Sequence, residues 1–227
     1  MMSQWPAPLG NGGQSEELLV SFDKARARRV LILPAWFDEA NKLRRFTLDV
    51  MRALDAAGID SFLPDLPGCN ESLAPLESQT LAGWRAGAAA SAEAVGASEV
   101  LAIRAGALLV PPGLPAWHYA ALSGPKLLRG LIRARTIVAR EAGLSESAED
   151  LMAIGREAGL VLGGWMIGAD MLRGLESAEI PASDNARAIT TADLGGPGLW
   201  LRAEPGEDIA QSQRLAAIIA DGGSSPA

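Results

Sequence analysis

Apolar runs and segments with apolar residues at helical spacing alternate along the chain, a pattern typical of an α/β protein. The continuous apolar run at residues 29–33 predicts a strand of a parallel sheet that is covered on both faces. Residues 43–57 place apolar side chains three or four positions apart, and Gly58 follows as a natural helix stop. The other predicted strands lie at residues 17–22, 59–63, 100–103, 114–122 and 199–202. The other predicted helices lie at 79–95, 126–141, 145–159 and 208–220, with a further one ending the stretch 160–175, and loops are predicted at 34–42 and 188–197.

The stretch at residues 100–109 predicts a buried strand that turns sharply into a short helix through small residues. Pro111 and Pro112 limit that helix to about two turns. The turn resembles the nucleophile elbow of α/β-hydrolases, GxSxG, in which small neighbours allow a strained backbone to lift one side chain above the sheet. The window here is Ala102-Ile103-Arg104-Ala105-Gly106, with arginine at the serine position. The pattern therefore predicts the architecture of a hydrolase without its usual nucleophile.

A second motif is the loop Asp65-Leu66-Pro67-Gly68-Cys69-Asn70-Glu71-Ser72, which follows the predicted strand at 59–63. It matches the DxxGxGxS turn found after this strand in α/β-hydrolases, with Asn70 in place of the second glycine. Asparagine is among the non-glycine residues that best tolerate a positive φ. We therefore expect Asn70 to adopt the backbone conformation of the missing glycine.

Together these motifs indicate a finer resemblance. The loop at 38–45 (DEANKLRR), the turn at 65–72 and the elbow at 101–109 resemble the exosortase A system-associated hydrolases, the second type in particular. Trp117, Ser123-Gly124 and the arginine-rich helix after them are also similar to that family. The resemblance implies a bacterial protein encoded with exopolysaccharide and protein-sorting machinery, in which arginine at the elbow is a family trait. The chain departs from the pattern at Pro34-Ala35, which replaces a histidine-proline pair, and at Ala102, which replaces a glycine.

The predicted fold is a single α/β-hydrolase-like domain over residues 1–227, with a mainly parallel sheet and helices on both faces. We expect a small helical cap at about residues 123–185 and flexible ends at 1–15 and 222–227. The chain has 227 residues, nearly half of them apolar, which is enough for one large core.

Charge and composition exclude several classes of protein. A formal charge of −7 and a pI near 4.8 argue against a nucleic-acid binder. One cysteine and one histidine exclude a disulfide framework and a zinc site rich in cysteine or histidine, and we expect no metal or other cofactor. The sequence predicts neither a secretory signal nor a transmembrane segment, so we expect a soluble cytoplasmic protein.

The sequence lacks the residues of a standard serine-hydrolase triad at their expected places. A serine-hydrolase triad needs a nucleophile, a histidine base and an orienting acid. In this fold the histidine follows the last strand, whereas His118 lies on a predicted strand shortly after the elbow, so a structural role is favoured for it. Cys69 has no basic neighbour in sequence and is more simply read as a small turn residue.

Arg104 is the stronger candidate for a functional residue. A cation at the start of a helix is disfavoured by about 0.3–1 kcal/mol, so a nearby anion is expected. Either an internal ion pair or an anionic ligand would offset that cost. The carboxylates that could pair with it are Asp38, Glu39, Asp65, Glu204 and Asp208. The full candidate pocket at this edge of the sheet consists of Trp36, Glu39, Asn41, Asp65, Arg104, Glu204 and Asp208.

Two functions follow from this reading. The first is a non-catalytic binding or scaffold protein of exopolysaccharide systems, acting as a homo-oligomer or paired with a related hydrolase. The second is an unconventional hydrolase or transferase that holds an anionic acyl or glycosyl substrate through Arg104, with Asp65, Glu39 or Asp208 as a base.

Overall fold

The computed structural model describes residues 1–10 and 12–222. Within these residues, nine strands form a seven-stranded sheet and a separate two-stranded hairpin. The strands are β1 (Met2–Pro8), β2 (Gln14–Phe22), β3 (Arg29–Leu33), β4 (Asp60–Pro64), β5 (Glu99–Ile103), β6 (Ala116–Tyr119), β7 (Leu160–Leu162), β8 (Trp165–Ile167) and β9 (Ala186–Ile189). The helices are α1 (Phe37–Ala56), α2 (Leu81–Ala94), α3 (Gly124–Glu141), α4 (Ala148–Ala158), α5 (Ala169–Glu176), α6 (Thr191–Leu194) and α7 (Ile209–Gly222).

The large sheet has the strand order β1-β2-β4-β3-β5-β6-β9. Neighbours from β4 to β9 are parallel, and β1 and β2 add an antiparallel edge. The side chains of β3, β5 and β6 alternate between two cores, as expected for strands covered on both faces. One core lies under α1 and α7, and the other lies under α2, α3 and α5. The predicted fold class, a mainly parallel sheet between helices, is confirmed.

The segment between β6 and β9, where the sequence predicts a cap, contains α3, α4 and α5 together with the hairpin of β7 and β8. The helices pack on one another, and α5 also packs on α2. The hairpin was not foreseen, because each of its strands has only three residues and Gly163 and Gly164 connect them.

Two sequence predictions are wrong at the chain's beginning. Residues 1–15 were expected to be flexible, but β1 pairs with β2 along its whole length and buries Trp5 and Ala7. The loop expected at residues 34–42 is mostly helical, because α1 begins at Phe37 rather than at Leu43. Asp38 and Glu39 in its first turn favour that earlier start, since carboxylates stabilise a helix N-terminus.

Two further corrections concern the last quarter of the chain. Residues 199–202 were expected to form the last strand, but Leu199–Leu201 form a 3₁₀ turn. The last strand is β9, and it overlaps residues 188–197, which were predicted to be a loop. A short apolar run cannot distinguish a strand from a helical turn by its pattern alone. Of the predicted flexible end at 222–227, Gly222 closes α7 and residues 223–227 lie outside the described part of the chain.

Candidate functional site

The elbow has the backbone geometry that its sequence predicts. Arg104 follows β5 directly and has a φ of 56°, a left-handed conformation that costs a non-glycine residue about 1–2 kcal/mol. Arg104–Leu109 then form the short helix that the sequence predicts, and it is a 3₁₀ helix. A Cβ on Gly106 would lie 2.2 Å from the carbonyl oxygen of Leu33, so only glycine fits there. The sharp turn is therefore present although no serine occupies it.

The side chain of Arg104 is held by groups of the protein itself. Its Nε and Nη2 donate to the two carboxylate oxygens of Glu39 at 3.0 and 2.9 Å, a bidentate pair. Its Nη1 donates to the backbone carbonyl of Ala120 at 2.8 Å. The guanidinium also lies 4.2 Å from the ring centroid of Trp200. Among the carboxylates considered from sequence, Glu39 is the partner, and its place in the first turn of α1 positions it there.

Trp200 and Tyr119 complete this cluster on the α1 and α7 side of the sheet. Their ring centroids are 5.8 Å apart, so Trp200 contacts Arg104 on one side and Tyr119 on the other. Burial raises the pKa of Tyr119 to about 12. The charge of Asp208 also raises this pKa, whereas the charge of Arg104 lowers it. Sequence reasoning missed Trp200, because its segment was assigned to a strand instead of to a turn that packs over the elbow.

Asn41, Glu204 and Asp208 of the candidate pocket are not among the partners of the Arg104 side chain in the described part of the chain, which are Glu39, Ala120 and Trp200. Asn41 is exposed on α1, and Glu204 is exposed after the 3₁₀ turn at Leu199–Leu201. Asp208 accepts a hydrogen bond from the backbone nitrogen of Gln211 at 3.0 Å at the start of α7, and lies 3.9 Å from Arg202. The residues that sequence places at one edge of the sheet are thus divided among several environments.

Trp36 and Asp65 line a separate cavity of about 40 Å³, here called the aromatic cavity. Its walls include the rings of Trp36, Phe37, Trp84 and Trp165, and Arg104 is not among the described residues that line it. The rings of Trp36 and Trp84 pack edge to face with their centroids 4.9 Å apart, and the ring centroids of Phe37 and Trp165 of β8 are 6.1 Å apart. The loop after β3, the start of α1, helix α2 and the β7–β8 hairpin therefore each supply an aromatic side chain to one cavity.

Asp65 is the acidic residue in the wall of the aromatic cavity. Its Oδ1 accepts a hydrogen bond from Asn70 Nδ2 at 2.6 Å and lies 3.7 Å from Arg44 Nη1, while its Oδ2 is buried without a partner among the described residues. Burial raises the pKa of Asp65, and Asn70, Arg44 and the backbone of Glu71 act in the opposite direction. Asn70 has a φ of 48°, which is the conformation expected from its place in the turn.

Cys69 also lines the cavity, in a half-buried position. Burial raises the pKa of its thiol, and the carboxylates of Asp65 and Glu17 add to that effect. A thiol with a raised pKa is protonated at neutral pH and is a poor nucleophile. The environment thus matches the structural role that the sequence favours for Cys69.

His118 is buried inside β6, where its neighbours across the sheet are Ala102 and Ala188. Its Nε2 has no partner among the described residues, and burial lowers the pKa of its imidazole. A catalytic histidine in this type of site needs an orienting acid on one nitrogen and the nucleophile on the other, and the Nε2 of His118 has neither among the described residues.

Metal-ligating side chains are not clustered in the described part of the chain. In residues 1–10 and 12–222, no group of three or more histidine, cysteine, aspartate and glutamate residues is arranged to hold a metal ion.

No family model matches the chain, and neither does any curated protein. Solved structures do match it over nearly its full length. The α/β hydrolase domain-containing protein 10 from mouse shares 12% identity at a TM-score of 0.55, with 96% of this chain and 97% of that one covered. An AqdC variant that recognises and cleaves the ring of the Pseudomonas quinolone signal shares 14% identity at a TM-score of 0.54. That alignment covers 99% of this chain and 100% of the AqdC variant.

An esterase domain from a Rhodothermus marinus protein matches with 14% identity and a TM-score of 0.51, and the alignment covers 97% of this chain and 98% of that domain. The chain has the α/β-hydrolase fold. Other structures are matched over less of their length, and the chain spans 62% of a hydrolase from Agrobacterium vitis S4. At these identities the likeness shows the fold alone. Within the described part of the chain, no helix is both long and apolar enough to cross a bilayer.

Proposed function

We propose that the chain is a non-catalytic binding or scaffold protein built on the α/β-hydrolase fold. The observation that carries the proposal is the state of Arg104, which occupies the nucleophile position and is held by Glu39, Ala120 and Trp200. A nucleophile elbow serves catalysis by presenting a free reactive atom to the substrate. Here the elbow presents a guanidinium that the protein itself binds, so the turn serves to join α1, β5 and the segment after β6.

The buried position of His118 supports the same proposal. The single histidine of the chain lies within β6, whereas the general base of a triad has to reach the elbow side chain. Serine introduced at position 104 would therefore still lack its base. We propose on the motifs at 38–45, 65–72 and 101–109 that the protein acts in an exopolysaccharide and exosortase system of the bacterial cytoplasm, as a homo-oligomer or beside a related hydrolase.

The alternative is an unconventional hydrolase or transferase that binds an anionic acyl or glycosyl substrate through Arg104. Its support is chemical, since a guanidinium is well suited to carboxylate and phosphate groups. The ion pair with Glu39 weighs against it, because an anion would have to displace a bidentate carboxylate and compensate for a half-buried Glu39 left unpaired. The non-catalytic function is therefore the better supported of the two.

Hydrolysis of a panel of activated acyl esters distinguishes the two proposals. We expect no turnover above background and no labelling by a serine-reactive fluorophosphonate, for the wild type and equally for Arg104→Ser. Arg52→Ala is the matched control, because Arg52 pairs with Asp49 on the exposed side of α1. Turnover by the wild type that survives in Arg52→Ala and disappears in Arg104→Ala would overturn the proposal and make Arg104 a catalytic residue.

A further inference from the structure

We infer that the aromatic cavity binds a small organic cation, an ammonium group that carries methyl or methylene substituents. The inference goes beyond the proposed function, because Arg104 does not contribute to the described lining of this cavity. A chain that hydrolyses esters could still bind the cation, and a non-catalytic chain could fail to bind it. The two ideas therefore succeed or fail independently.

The walls of the cavity suit such a group. Its volume of about 40 Å³ exceeds the roughly 10–15 Å³ that one water molecule needs, so the cavity has room for more than a single water molecule. The rings around it face different directions, with an angle of 80° between Trp36 and Trp84 and of 50° between Phe37 and Trp165. Rings that surround a space from several sides are the arrangement by which proteins bind alkylated ammonium ions, and tryptophan is the strongest partner for a cation.

The charge of the surroundings selects a cation. Asp65 is 4% exposed, lines the cavity, and has one carboxylate oxygen without a partner among the described residues. Glu17 on β2 is not among the described lining residues, but it is 1% exposed and adds negative charge near Asp65. Its Oε2 has no partner among the described residues, and its Oε1 accepts hydrogen bonds from Ser15 and Ser72. The nearest cation to Asp65 is Arg44, which is 36% exposed and 3.7 Å away. An ammonium group in the cavity would therefore supply the interaction that the buried carboxylate of Asp65 lacks.

Other occupants fit less well. A neutral apolar molecule would fill the space between the rings but would leave Oδ2 of Asp65 without a partner, which is costly for a buried polar atom. An anion would be repelled by the carboxylate of Asp65, and aromatic walls attract cations and not anions. The cavity thus combines a carboxylate with aromatic walls, and a cation is the ligand class that uses both.

Titration with tetramethylammonium chloride, followed by the indole N–H signals of the tryptophans in two-dimensional NMR, tests the inference. We expect saturable shifts in Trp36, Trp84 and Trp165, with Trp117 and Trp200 unchanged because they lie on the other core. tert-Butanol is the neutral probe of similar shape, and we expect it to bind at least about ten-fold more weakly, because it cannot supply the cationic attraction. Sodium chloride at equal ionic strength is the salt control.

Two variants, each with a matched control variant, make the test specific. Asp65→Asn keeps the shape of the wall and removes its charge, so the preference for tetramethylammonium over tert-butanol should be lost, whereas Asp208→Asn should retain it. Trp165→Leu, on the half-buried hairpin, should weaken cation binding about ten-fold, and Trp200→Leu should leave it unchanged. The inference is overturned if the indole signals do not respond to tetramethylammonium, if both probes bind equally, or if Asp65→Asn and Asp208→Asn behave alike.

Discussion

Arg104 combines an unfavourable backbone with favourable side-chain contacts. Its φ of 56° costs about 1–2 kcal/mol. Hydrogen bonds to charged groups contribute about 1.5–3 kcal/mol each, and Arg104 makes two to Glu39. The charge penalty expected from a helix N-terminus is reduced, because the elbow leads into a short 3₁₀ turn whose backbone dipoles are few. The side-chain contacts therefore outweigh the local strain.

His118 makes stability depend on pH. Because burial lowers the pKa of its imidazole below the unfolded value of about 6.5, the neutral form is favoured in the folded state. Its contribution is fully present above that unfolded value and is lost as pH falls through the lower folded pKa. We expect the free energy of unfolding of the wild type to decrease more between about pH 7 and pH 5 than that of His118→Gln. Urea unfolding at several pH values measures the difference, and parallel pH profiles would contradict it.

At the scale of elements, the sequence was most informative where the chain is buried on both faces. β3 and β5 were predicted because each is an apolar run followed by a turn, as expected for a strand covered on both faces. β9 was missed, because Arg187 and the small Ala186 and Ala188 give it a weak strand pattern at the edge of the sheet. The early start of α1 was missed because Phe37 and the charged residues after it read as a loop.

The elbow connects β5 to the loop after β3 through a contact that leaves no room for a side chain. We expect Gly106→Ala to destabilise the protein by about 3 kcal/mol or more, because the added Cβ would lie 2.2 Å from the oxygen of Leu33 and 2.7 Å from that of Pro34. Both clashes are with backbone atoms, which cannot rotate away.

Gly130→Ala provides the matched control for this substitution. Gly130 lies within α3, is exposed, and has nothing within 4 Å of an added Cβ. The change should stabilise the protein by up to about 1 kcal/mol, because alanine has the higher helix propensity. Thermal and urea unfolding of both variants provide the comparison. Equal effects of the two substitutions would show that the close approach at the elbow does not determine stability.

At the scale of the whole molecule, topology brings loops to the same edge of the sheet but does not fix the direction of their side chains. The sequence grouped Trp36, Asp65 and Arg104 into one pocket because they follow neighbouring parallel strands. In the structure, Trp36 and Asp65 face the aromatic cavity, and Arg104 turns to Glu39 and Trp200. Neither Trp165 nor Trp200 could be assigned to a site from the sequence, because each reaches it through an unpredicted hairpin or turn.

β1 shows how the beginning of the chain contributes to the whole molecule. Trp5 is 3% exposed, belongs to the same core cluster as Trp84, and donates from its Nε1 to the backbone oxygen of Asp65 at 3.1 Å. The strand therefore closes one edge of the sheet and supports the loop that carries the cavity's carboxylate. A flexible leader would do neither, so substitutions on β1 discriminate between the two descriptions.

We expect Trp5→Ala to reduce the free energy of unfolding by about 3–5 kcal/mol, as for a large aromatic side chain removed from a core. Met2→Ala, on the same strand but 73% exposed, should change it by less than about 0.5 kcal/mol. Chemical unfolding gives both values, and hydrogen exchange at the amides of β1 gives an independent measure. If Trp5→Ala were as mild as Met2→Ala, β1 would not be part of the cooperative fold. If only Trp5→Ala is severe, the first strand folds with the sheet and stabilises the turn at Asp65.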